Sequence, residues 1–134
     1  MKQRITMIMF LALTQFTVAM PAFADHAAAT NYRVGLYFGL SLPTGGGVSL
    51  LQWNQFERNV LAKTFEGFNV VDSTGYYQGK PERSKIVTLI INQSDMTKVN
   101  KVARQYATKF EQDSVMMVKI RVDEWTFIGK AGEK

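Results

Sequence analysis

The sequence predicts an α+β domain of order βαββαβ, a four-stranded antiparallel sheet with two helices on one face, and three observations carry that expectation. Between Tyr32 and Ser41, Val34, Leu36, Phe38 and Leu40 alternate with Arg33, Gly35, Tyr37 and Gly39, the period of a half-buried strand. Met96, Val99, Val102, Ala103, Tyr106, Ala107 and Phe110 recur at helical spacing, the clearest amphipathic stripe in the chain. Ser84 to Ile91 is β-branched and almost wholly apolar after Lys85, the composition of a central strand covered on both faces.

The remaining elements fall between these. Asp25 to Asn31 reads as a flexible lead-in, and the first strand ends at Pro43-Thr44-Gly45-Gly46-Gly47. Ser49 and Gln52 have capping-box spacing, Trp53, Phe56, Val60 and Leu61 continue a helix towards Phe65, and Gly67 stops it. Phe68 to Tyr77 has a strand-like pattern and turns at Gly79-Lys80-Pro81. Ser94 or Asp95 is expected to cap the second helix. From Ser114, Met116, Val118, Ile120 and Val122 alternate with Lys119, Arg121 and Asp123, and Trp125, Phe127 and Ile128 extend this last strand before a polar tail over 129–134. The order is that of two split βαβ units, the ferredoxin-like arrangement, and right-handed crossovers put the first and third strands at the centre. The sheet face away from the helices should then carry Gly35, Tyr37 and Gly39 beside Lys119 and Arg121. Such a face seldom stays bare, so a ligand or partner is expected there.

Residues 1–24 have the layout of a secretory signal: a basic opening (Lys2, Arg4), an apolar run from Ile5 to Met20, and small residues at Ala22 and Ala24. Cleavage before Asp25 leaves about 110 residues and a net charge of about +3, against +5 for the whole 134-residue chain. The single domain is expected over 32–128, in a periplasmic or secreted protein with no membrane span after cleavage. The modest, scattered positive charge argues against a nucleic-acid partner.

Chemistry is sparser. The chain has no cysteine and one histidine, His26 in the lead-in, so neither a Ser-His-Asp triad nor a histidine-rich or cysteine-ligated metal centre can be assembled. Neither a metal nor a cofactor is expected. Gly45-Gly46-Gly47 lacks the Gly-Lys-Ser/Thr continuation of a phosphate loop and reads as a connector. Glu82-Arg83-Ser84-Lys85 is the densest polar cluster. Alternation separates Arg83 and Lys85 from Glu82 and Ser84, and a carboxylate with a hydroxyl there suits a polar ligand group.

At these residues the chain resembles a known family. Leu36-Tyr37-Phe38-Gly39-Leu40-Ser41, Trp53 with Phe56, Phe65-Glu66-Gly67-Phe68, Asp72 with Gly75, Glu82-Arg83-Ser84-Lys85, and Tyr106, Phe110, Gln112, Ser114 and Val115 follow its pattern in order. It is a family of small bacterial proteins, often with a secretory signal, catalogued as a domain of unknown function. The resemblance implies the domain limits and no mechanism, and the hairpin around Gly79-Lys80-Pro81 is shorter here. The expectation is a non-enzymatic binding module whose open sheet face takes a small molecule, an envelope protein or a second copy. Its surface residues are Tyr37, Gly39, Glu82, Arg83, Ser84, Lys85, Lys119 and Arg121. The alternative is a small enzyme with an acid–base site at a subunit interface, using Glu82, Tyr37 and Lys85 or Arg121.

Overall fold

Strands β1 (Asn31–Gly39), β2 (Asn69–Tyr77), β3 (Lys80–Asn92) and β4 (Met116–Val122) form one sheet in the order β2-β3-β1-β4, with every neighbouring pair antiparallel. The computed structural model describes residues 30–131; the signal expected over 1–24 and most of the expected lead-in lie outside the described residues. The first and third strands are central, and the expected βαββαβ order holds.

Helix α1 runs through consecutive segments, Leu50–Phe56, a π turn at Glu57–Leu61, and Ala62–Thr64. Its start is a complete capping box: the Ser49 hydroxyl accepts from the Gln52 amide, and the Gln52 side chain accepts from the Ser49 amide. Within it, the Trp53 indole donates to the Glu57 carboxylate at 2.6 Å. Helix α2 (Met96–Lys109) follows a 3-10 turn at Gln93–Asp95. Neither Ser94 nor Asp95 supplies a capping oxygen to α2; Asn92 caps the preceding 3-10 turn instead, accepting from the Ser94 amide, while Asp95 pairs with Lys98. The β2–β3 turn sits at Gln78-Gly79, both at positive φ, which leaves Lys80 and Pro81 inside β3. A two-residue type I′ hairpin turn needs two left-handed residues, and proline cannot be one of them.

Both helices bury their apolar stripes on one sheet face. Phe38 stands at the centre of an aromatic cluster, with ring centroids 5.6 Å from Trp53, 5.8 Å from Phe56 and 4.6 Å from Tyr106. Phe110 closes it against Phe56 and Tyr106. Mixed tilted and edge-on contacts of this kind add to the burial of large side chains. Val34, Leu36, Val87 and Leu89 form the strand side of the same core.

Two expectations are corrected here. β3 is central but covered on one face only: Val87, Leu89 and Ile91 are buried, whereas Ile86 and Thr88 are half-exposed and Ile90 is exposed. No residue of β4 is buried, because that edge strand lies beyond the reach of the two helices. Phe110→Ala should therefore cost about 3–5 kcal/mol, read as a lowered urea midpoint at unchanged slope, whereas Ile120→Ala on β4 should leave the midpoint within about 1 kcal/mol of wild type.

Candidate functional site

Strand register decides which side chains share the open face. Directly opposed residues of antiparallel strands point the same way, so Tyr37 shares a row with Ile86, Val71 and Met116, and Gly35 with Thr88, Asn69 and Val118. Arg33, Ile90 and Ile120 form the row on one side. On the other, Gly39 pairs with Ser84 and Ser84 with Ser73, and the next row is Glu82 with Gly75. The open face thus has an apolar centre and a polar end.

This register moves four expected surface residues to the helix side. Lys119 opposes Val34 and Arg121 opposes Tyr32, both on the core-facing side of β1. Lys119 Nζ lies 3.7 Å from the Tyr32 ring centroid and donates to Gln93 Oε1, and Arg121 stands 3.9 Å from Asp123. The apolar set Met116, Val118 and Ile120 takes the open face instead, 57%, 39% and 52% exposed. Lys85 opposes Phe38 and is buried, paired with Asp72 and lying over the Trp53 ring. The Lys85 ammonium holds the Asp72 carboxyl below the usual carboxylate range. Arg83 shares that side, opposite Thr74.

The other four come together. Tyr37, Gly39, Glu82 and Ser84 line a cleft of about 760 Å³ at the polar end of the open face, between the loops that follow β1 and α2 and the β2–β3 hairpin. Tyr76, Tyr77 and Gly75 wall it from the hairpin, Ser41, Leu42 and Pro43 from the loop after β1, and Gln112, Asp113, Ser114 and Met116 from the approach to β4. Its floor is Gly39. A Cβ there would stand 2.7 Å from Glu82 Oε1 and 3.1 Å from Gln112 Oε1, so the glycine is what lets both oxygens overhang the strand.

The floor is anchored from beneath. The Tyr106 hydroxyl, at the edge of the aromatic core, donates to the Gly39 carbonyl at 2.7 Å. Burial pushes the Tyr106 phenol well above its ordinary value near 10, and the neighbouring Glu82 carboxylate pushes it the same way. Gln112 Nε2 donates to the Ser41 carbonyl at 2.7 Å and the Phe110 carbonyl at 3.1 Å, which tethers the loop after β1 to the end of α2.

Gln112, Asp113 and the hairpin tyrosines were not among the expected site residues. Gln112 sits in the family-like pattern without a role, and only the folded chain brings it to Gly39. Among the described residues, no three His, Cys, Asp or Glu side chains gather as a metal site would require, and no helix is long and apolar enough to cross a membrane.

A family model described as "Protein of unknown function (DUF3574)" matches residues 33–125. No curated protein matches the chain. Among solved structures, a phage SAM lyase in complex with S-methyl-5'-thioadenosine is similar at 14% identity, TM-score 0.54, over 78% of this chain and 100% of that one. A phage SAM lyase in its apo state is similar at 14% identity and TM-score 0.47, over 76% of this chain and 98% of that one. At this identity the first likeness shows a shared small α+β fold.

The Tyr106 bond gives a prediction with a sign. A phenol whose pKa is higher in the folded than in the unfolded chain adds stability that is complete below its unfolded value and is lost as pH rises above it. Wild type should therefore lose stability above pH 10, with a slope that Tyr106→Phe flattens. At neutral pH that variant should cost about 1–3 kcal/mol, from the Gly39 carbonyl left without its donor. Denaturation midpoints of both proteins across alkaline pH check both parts.

Proposed function

The chain belongs to the family of proteins of unknown function DUF3574, and we propose that it is an exported, non-enzymatic binding module. Its small ligand lies at the polar end of the open sheet face, over Gly39. The observation that carries this reading is the convergence of Tyr37, Gly39, Glu82 and Ser84 in one cleft with two further tyrosines, Tyr76 and Tyr77, the Asp113 carboxylate and the Gln112 amide at its wall. Concave sites with an apolar lining and a few placed polar groups are the usual form of a small-molecule site. Export is supported by the basic opening, apolar run and small residues of positions 1–24.

A second reading has its own observation. Met116, Val118 and Ile120 follow one another along the open face of the edge strand β4, all exposed, with Val71 and Ile90 exposed on the same face, which suits a protein partner. Acid–base catalysis by Glu82 is the remaining alternative. The phage lyase fold-likeness supports small-molecule chemistry on this architecture and assigns no substrate here.

Ligand screening by thermal shift and calorimetry, on protein recovered from cells expressing the full chain, tests the main reading. Tyr37→Ala and Ser84→Ala should each weaken a hit by about tenfold, or about 1.4 kcal/mol, with unchanged circular dichroism. Hits indifferent to both would move the site to the apolar patch. N-terminal sequencing of the exported protein should begin at Asp25; a retained Met1 contradicts cleavage.

A further inference from the structure

Resting on the reading of the cleft as the ligand site, we propose that the group it selects is a primary ammonium, carried on an aromatic or apolar body. The inference starts from the Gln112 amide. Both hydrogens of Nε2 are engaged, by the Ser41 and Phe110 carbonyls. A flipped amide would set its oxygen against those two acceptors, so Gln112 Oε1 is fixed on the side of Gly39. There it overhangs the same strand position as Glu82 Oε1, the two lying 3.1 and 2.7 Å from the place a Gly39 side chain would begin.

Two acceptor oxygens facing one small space repel unless a donor with two or more hydrogens lies between them. Among the described residues, no hydrogen bond or ion pair brings a donor to the Glu82 carboxylate. A primary ammonium has three donor hydrogens and the charge that suits a carboxylate. An alcohol has one.

Charge and lining point the same way. The chain carries 16 Lys and Arg against 11 Asp and Glu, yet the charged residues lining this cleft are Glu82 and Asp113, both acids. Tyr37, Tyr76 and Tyr77 add ring faces, which attract a cation, and Leu42, Pro43 and Met116 add apolar wall for the rest of the ligand. A bare metal ion is a poorer match. A hard divalent cation needs six or more oxygens, and the described acids do not cluster in threes.

Three probes sharing one ring body separate the outcomes: tyramine, its neutral alcohol analogue tyrosol, and the carboxylate 4-hydroxyphenylacetate. Binding to isotope-labelled protein, read from amide shifts at Gly39 and Gln112, should favour tyramine over tyrosol by about tenfold or more and exclude the carboxylate. Glu82→Gln should remove that preference. Gly39→Ala keeps every charge and an extended backbone that alanine accepts, but its methyl group displaces the Glu82 carboxylate; it should also lose tyramine while remaining folded.

Equal binding of tyramine and tyrosol at Gly39 would overturn the ammonium while keeping the cleft as a site. Tyramine binding that survives both variants overturns the proposal as well. If no probe binds at millimolar concentration, the ammonium inference fails. The cleft reading is then judged separately, by the response of unrelated screening hits to Tyr37→Ala.

Discussion

The hydrogen bond from Tyr106 to the Gly39 carbonyl is the constraint on which the rest of the structure turns. Tyr106 is buried among Phe38, Trp53, Phe56 and Phe110, where an unpaired hydroxyl would be costly. Its acceptor comes from the end of β1, one residue after Phe38, on which the ring packs. That bond joins the core to the cleft. It fixes the height of the Gly39 backbone over helix α2 and therefore the floor beneath Glu82 and Gln112.

The same constraint explains where the cleft lies. Beyond Gly39, β1 gives way to Leu40, Ser41 and Leu42, and this turn folds back through Val48 and Gly46 amide and carbonyl contacts. Gln112 ties it to the end of α2. Three chain segments that are far apart in sequence therefore meet at one end of the sheet, each held by backbone acceptors. At the opposite end, Arg33 and Ile90 line a separate cavity with Trp125 and Phe127 from the segment after β4. It offers no comparable convergence of fixed acceptors.

Much of this was legible before the fold was known. The alternation of β1 separates Val34, Leu36 and Phe38 from Gly35, Tyr37 and Gly39, and the structure buries the first set and opens the second. The Ser49/Gln52 pair marks the start of α1, and the stripe of α2 delivers Val99, Val102, Tyr106 and Phe110 to the core. Glu82 and Ser84 follow from alternation along β3. The failures lie where a strand's own pattern is ambiguous. In β4 the charged and apolar sets alternate equally well, and only the pairing of Val34 with Lys119 and of Gly35 with Val118 tells which faces outward. The usual assumption that apolar residues face the covered side breaks down because no helix covers that edge. Gln112 and Tyr77 escape for a different reason: their place in the cleft depends on loop and hairpin contacts that no local period encodes.

Correcting β4 and Lys85 also changes the electrostatics of the molecule. Lys119 and Arg121, assigned by pattern to the open face, would have made it basic. Their observed positions put them on the helix side, with Lys119 against Tyr32 and Gln93 and Arg121 near Asp123. Lys85 is paired with Asp72 against the Trp53 ring, and Lys98 with Asp95. These cations are held away from the polar end of the sheet, whose lining acids Glu82 and Asp113 have no cationic neighbour in the cleft wall. A net positive charge on the whole chain therefore says nothing about the sign of its site. What fixes that sign is strand register, acting through which of two alternating sets a pair of hydrogen-bonded strands turns towards solvent.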